Sequence, residues 1–130
     1  MPVSFTQISV GTSYSRSELA RLWGYAGFQA LARGVVTPRD DNKIILFVTH
    51  EKQSGNEQYD DVLSGMKLEW EGPTDHFAED RMLDTSTSNE EIHLFYRERH
   101  HSVFIYQGPL RLIRCEQYTD RPSRFVFQIK

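Results

Sequence analysis

The run Ile44-Ile45-Leu46-Phe47-Val48 is the longest apolar stretch in the chain and leaves it few ways to fold. A membrane-spanning helix needs about 20 apolar residues, so this run cannot supply one. Its branched and aromatic content instead predicts a central strand over 43–51. Similar signals recur downstream. Residues 66–71 read as a shorter strand ended by Gly72-Pro73. Residues 91–99 alternate, with Ile92, Leu94 and Tyr96 on one side and His93, Phe95 and Arg97 on the other. Strands over 102–107 and 110–117 are expected to form a hairpin around Gly108-Pro109, and 123–129 alternates Phe125, Phe127 and Ile129 against Val126 and Gln128. The Ser/Thr-rich segment 84–89 holds no apolar residue and is expected to be a mobile loop.

Helical signals are confined to the N-terminal third. Ser15-Arg16-Ser17-Glu18 fits a capping box, Leu19, Leu22 and Trp23 follow at helical spacing, and Gly24 stands where a left-handed cap residue belongs. A second short helix is predicted over 26–33, with Phe28, Leu31 and Ala32 on one stripe and Gly34 as its stop. A helix-turn-helix is a weak alternative, since only Gln29 and Arg33 would be placed to read bases. Two short helices followed by about six strands, with no helix between the strands, exclude a doubly wound parallel sheet. The expected class is α+β, mainly β: a small twisted barrel, mixed or antiparallel, with two short N-terminal helices.

At 130 residues, 1–130 reads as one domain without a repeat. Mean hydropathy is −0.55. No basic segment followed by an apolar one opens the chain, so a cytoplasmic protein without membrane partners is expected. Cys115 is the only cysteine, which excludes an internal disulfide and any CxxC motif. The net charge of −3 argues mildly against nucleic acid, but its distribution does not. Residues 51–94 hold twelve acidic and three basic residues, net −9, leaving +6 elsewhere. Arg16, Arg21, Arg33, Arg39 and Lys43 precede the acidic stretch; Arg97, Arg99, Arg111, Arg114, Arg121, Arg124 and Lys130 follow it. Either the two ends share a basic face, or these are arginines solvated on alternate strand positions.

Catalytic signatures are missing from the sequence. The five histidines form no HxH, HExxH or HxxxH motif, so no metal site is expected. His100-His101 reads as a solvated turn. Glu69-Trp70-Glu71 lacks the lysine of a nuclease motif, and neither GxSxG nor a glycine-rich phosphate loop occurs. No cofactor is expected, and the activity is expected to be binding rather than catalysis. What remains beside the strand ends is Arg33-Gly34, Tyr59-Asp60-Asp61, Trp70 and Arg97. An aromatic ring near an acid suits an extruded nucleobase, since the ring stacks on its face while the carboxylate accepts from an exocyclic amine. Equally, Trp70 could cap a barrel core and Tyr59 could anchor a loop.

Taken in order, the motifs resemble a known family. The series runs from Ser15-Arg16-Ser17-Glu18-Leu19-Ala20 and Trp23-Gly24-Tyr25 through Ala32-Arg33-Gly34-Val35-Val36-Thr37-Pro38 to Ile45-Leu46-Phe47-Val48-Thr49 with Lys52. Tyr59-Asp60-Asp61, Leu68-Glu69-Trp70-Glu71-Gly72, Asp80-Arg81, 92–97 and Phe104-Ile105-Tyr106-Gln107-Gly108 continue it. This order resembles the SRA-like domains of the PUA superfamily found in modification-dependent (type IV) restriction endonucleases, over roughly 14–129. The resemblance implies a PUA-like barrel that flips a modified base, most often 5-methylcytosine or 5-hydroxymethylcytosine, out of duplex DNA. It also implies a fused or associated effector, an HNH-type or other nuclease or a helicase. By position, Tyr59 and Trp70 would stack on the base, Asp60 would bond its polar edge and Arg33 would line the pocket. Arg81, Arg97, Lys43 and Arg39 would meet the DNA backbone. A modified-RNA reader and a β-barrel protein-interaction module are the alternatives. Burying one methyl group contributes at best about 0.8 kcal/mol, so discrimination would rest on pocket shape or on a modification with polar groups of its own.

Overall fold

A computed structural model describes residues 3–51, 62–99 and 102–130. Among them the sheet holds eight strands: β1 (Ser13–Tyr14), β2 (Val35–Val36), β3 (Lys43–Glu51), β4 (Val62–Ser64), β5 (Lys67–Glu71), β6 (Glu91–Arg99), β7 (Phe104–Glu116) and β8 (Arg124–Ile129). Two short α-helices, α1 (Arg16–Leu22) and α2 (Glu79–Leu83), and 3-10 turns at Phe28–Leu31 and Asp84–Ser86 complete it. The sheet order is β2-β3-β6-β7-β8-β5-β4, with β1 paired to β7. The mainly β class is as expected. The closed barrel is not observed: the sheet is open, with β2 and β4 at its ends. No described helix is long and apolar enough to cross a membrane.

β3 and β6 run parallel, from Lys43 opposite Glu91 to Glu51 opposite Arg99. Their alternating residues feed two separate cores. Ile44, Leu46 and Val48, with Ile92, Leu94 and Tyr96, pack on one face against Leu68, Trp70, Met82, Phe125 and Phe127. Ile45, Phe47 and Phe95 pack on the other against Leu19, Trp23, Leu31, Phe104 and Tyr106. The unbroken apolar run of β3 is thus a strand covered on both faces, as parallel strands usually are.

A parallel pair needs a long crossover, and this one contains a helix, contrary to the expectation of none between strands. α2 is only five residues long, too short for a periodic signal, and tertiary contacts hold it. Met82 is fully buried beneath it. The Glu79 carboxylate accepts from Ser123 Oγ (3.1 Å) and Gln117 Nε2 (3.2 Å) and pairs with His76 Nδ1 (2.7 Å). Burial alone would raise the Glu79 pKa, but these bonds outweigh it and hold it below the usual carboxylate range. The 84–89 segment is likewise no free loop. Thr85 and Thr87 hydroxyls cap carbonyls of the preceding turn, and Asn42 Nδ2 donates to Asn89 O (2.7 Å).

The capping box forms as read: Ser15 Oγ accepts from Glu18 N, Glu18 Oε1 accepts from Ser15 N, and Gly24 has φ +82°. α1 buries Leu19, Ala20 and Trp23 but leaves Leu22 largely exposed. The second expected helix is a single 3-10 turn that buries only Leu31; Phe28 and Ala32 face solvent. Gly108-Pro109 also departs from the expected hairpin, because β7 continues through it as one strand. Leu94 pairs with Gly108 and Phe95 with Tyr106, so Gln107 is the extra residue of a bulge. The bulge bends β7 so that its first half lines one core and its second half reaches β8. Gly108 adopts φ +110°, where a Cβ would meet Val10 and Ile129 only at ordinary contact distance. Gly108→Ala should therefore cost about 1–3 kcal/mol through backbone strain rather than crowding. Urea denaturation would show it as a lowered midpoint at unchanged slope, and an unshifted midpoint would rule the bulge out.

Candidate functional site

Three cationic side chains, Arg97, Arg16 and Arg33, lie toward the carboxyl ends of the parallel pair. Register sets Thr49 opposite Arg97, and Arg97 Nε donates to Thr49 Oγ1 (2.7 Å) while Nη1 donates to Ser102 O (3.1 Å). Its guanidinium carbon lies 4.3 Å from the Phe104 ring centroid. Arg16, the first residue of α1, approaches the same ring at 4.9 Å and Phe47 at 4.8 Å, and its Nε donates to Leu31 O (2.6 Å). Neither arginine pairs with a carboxylate among the described residues. Burial, and secondarily the charge of Arg97, bring Arg16 down to about 10, and burial lowers Arg97 as well. Arg16 nonetheless remains charged at neutral pH. The aromatic faces beneath the two groups offset part of the cost of holding like charges together.

Arg33 reaches the same end, because Phe47 N donates to Gly34 O and β2 then runs antiparallel to β3. It is exposed, lies 4.5 Å over Phe77 and pairs with Asp75 (3.2 Å). Lys43 and Arg81 sit at the opposite end of β3 and β6, about 20 Å away at the usual rise of a strand. There Arg81 binds Glu90 through Nε (3.1 Å) and Nη2 (2.6 Å) and donates to Asp41 O (3.2 Å). Lys43 pairs with Asp41 (3.4 Å), which also accepts from the Val3 and Asn42 amides. Burial opposes that charge, but the hydrogen bonds and Lys43 win and keep the Asp41 carboxyl below its usual range. These two cations are thus neutralised where they join the N-terminal segment to β3, α2 and β6. Arg39 is exposed on the turn before β3.

Trp70 is placed in the core, 5% exposed, with its ring 5.4 Å from Phe125 and 6.0 Å from Phe127. Of the two readings of this residue, core packing is the one the geometry displays. Tyr59 and Asp60, together with Lys52, the 53–56 break and His100-His101, lie outside the described residues. By sequence Arg16 entered only as one cation of a possible basic face and was given no site role. A signal was present, because a cation in the first turn of a helix opposes the helix dipole and calls for another reason to be there.

His93 is the other polar group in an unusual setting. It is buried, stacks on Phe5 at 3.8 Å, and bonds Tyr106 Oη through Nδ1 (2.7 Å) and Glu91 Oε1 through Nε2 (3.0 Å). The carboxylate can only accept, so Nε2 carries the proton and Nδ1 accepts from the Tyr106 hydroxyl. Burial, then Glu91, pushes that hydroxyl up to about 12, so it keeps its proton. A shallow pocket of about 130 Å³ beside Ser4, Thr6, Gln7, Leu22 and Trp23 is smaller than the roughly 300 Å³ at which ligand sites begin. Among the described residues no three potential metal ligands converge. Neither known protein families nor curated proteins yield a match to this chain.

Two outcomes follow from these placements. Trp70→Ala should lower stability by about 3–5 kcal/mol, and a loss under about 1 kcal/mol in urea denaturation would mean the ring is not in the core. Burial depresses the His93 pKa, aided by Lys43 and Lys130 and opposed by Glu91. Native His93 therefore stays neutral while the unfolded chain takes up a proton below about pH 6.5, so its contribution is full above that pH and lost on acidification. The melting temperature should drop less between pH 7.5 and 5 in His93→Gln than in the parent, and parallel profiles would sink the assignment.

Proposed function

We propose that this chain is a non-enzymatic reader of duplex DNA carrying a modified base, serving as the specificity module of a modification-dependent restriction system with an associated nuclease or helicase. The observation that supports this reading is that Arg16 and Arg97, which have no carboxylate partner among the described residues, are set on aromatic rings at the same end of the sheet as Arg33. Phosphate would supply a counter-charge to this pair, and the motif order similar to SRA-like domains suggests the modified base as a second ligand.

Base extrusion costs a few kcal/mol and stacking returns roughly 1–3 kcal/mol per ring, so more than one flat surface is needed. With Trp70 in the core, Tyr59 is the remaining aromatic candidate, and Asp60 is the acceptor for the polar edge of the base. The Arg33 guanidinium, 4.5 Å over Phe77, offers a second stacking plane. The acidic residues of 51–94 keep the rest of the surface unattractive to ordinary duplex, which favours selectivity over affinity.

Fluorescence anisotropy on one duplex bearing 5-methylcytosine, 5-hydroxymethylcytosine, 6-methyladenine or no modification, at two salt concentrations, tests the reading. A preference of about tenfold, equivalent to roughly 1.4 kcal/mol, is expected for one modified duplex and should be lost in Tyr59→Ala. Equal binding across the panel would overturn it, and a preference for the matching RNA would move the reading to modified RNA.

A further inference from the structure

Partly buried cations in proteins are ordinarily paired, because desolvation without a counter-charge is costly. Arg16 and Arg97 both lack a carboxylate partner among the described residues. Their approach to one ring, Phe104, holds both guanidinium groups beside it. The Nε of Arg16 is occupied by Leu31 O, and the Nε and Nη1 of Arg97 by Thr49 and Ser102. Both terminal nitrogens of Arg16 and Nη2 of Arg97 have no acceptor among the described residues.

We infer that Arg16 and Arg97 form a two-armed clamp for a single phosphate group, with Phe104 as the floor that spaces the arms. A tetrahedral phosphate has enough oxygens to accept from two guanidinium forks at once. The arms are fixed before the ligand arrives, since each Nε is already bonded to a protein oxygen, so little side-chain freedom remains to be lost on binding. An anion between them would also turn their mutual repulsion into attraction. The identity of the phosphate as a nucleic-acid backbone rests on the proposed function; the clamp itself does not.

Two arms of one experiment separate these. In the first, the melting temperature of the intact chain is compared in sodium phosphate and in sodium chloride at equal ionic strength. Phosphate should raise it by several degrees in the parent chain and not in Arg97→Gln. No difference between the salts in the parent would overturn the clamp, and this measurement does not depend on any variant folding. In the second, binding to an unmodified duplex is followed from 50 to 200 mM salt. The slope of log affinity against log salt should become shallower by about 0.9 in Arg97→Gln. Arg111→Gln, which removes one exposed charge bonded to Gln128, should leave the slope unchanged. Equal slope changes in the two variants would overturn the clamp in favour of diffuse charge. Phosphate protection without duplex binding would keep the clamp, assign it to a small phosphate ligand and remove the nucleic-acid reading. Clamp behaviour on every duplex with no preference for a modified one would keep the clamp and remove only the modified-base reading.

Discussion

Two adjacent parallel strands that are apolar on both faces must be covered twice, and the architecture of this chain follows from that requirement. β3 and β6 satisfy each other's backbone groups and turn one set of side chains to each side. One cover is the sheet itself, which returns through β7, β8 and β5 with α2 beneath. The other is assembled from the N-terminal segment, α1, the 3-10 turn at Phe28–Leu31 and the front half of β7. β7 can serve both because Gly108 permits a bulge at which the strand changes direction without breaking its pairing.

The ends of the same pair differ electrostatically, and this difference carries the functional reading. At the amino ends, Asp41, Lys43, Arg81 and Glu90 neutralise one another and join four segments. At the carboxyl ends, Arg16 and Arg97 rest on aromatic rings with no carboxylate partner among the described residues. A cluster of paired charges fixes geometry. Cations that look equivalent as a charge count therefore divide by place into those paired with carboxylates and those without such a partner among the described residues.

Much of the local structure was legible in residue order. The alternation of 91–99 separated the two cores residue by residue, and the capping box and Gly24 delimited α1. Failures came where a local signal competed with a tertiary one. Gly108-Pro109 carries turn chemistry, yet the strands it separates have different partners, so it bends rather than reverses. α2 has no helical period and exists because Met82 and Glu79 are held from outside. At the candidate site, Arg97 and Arg33 were legible as strand-end cations, whereas Arg16 was absorbed into a capping motif and Trp70 could be read as pocket or core.

Sequence by itself determined the β-rich class, the strand that must be buried and the absence of a second cysteine, because these depend on side-chain chemistry and near neighbours along the chain. Tertiary structure alone decided that β3 and β6 are parallel, that the sheet stays open, that Trp70 faces inward and that Arg16 and Arg97 share the Phe104 ring. Arg16 and Arg97 are far apart in the chain, and nothing in their local sequence encodes the shared ring. Their proximity exists only after the parallel strands are aligned and α1 is laid across Phe47 and Phe104.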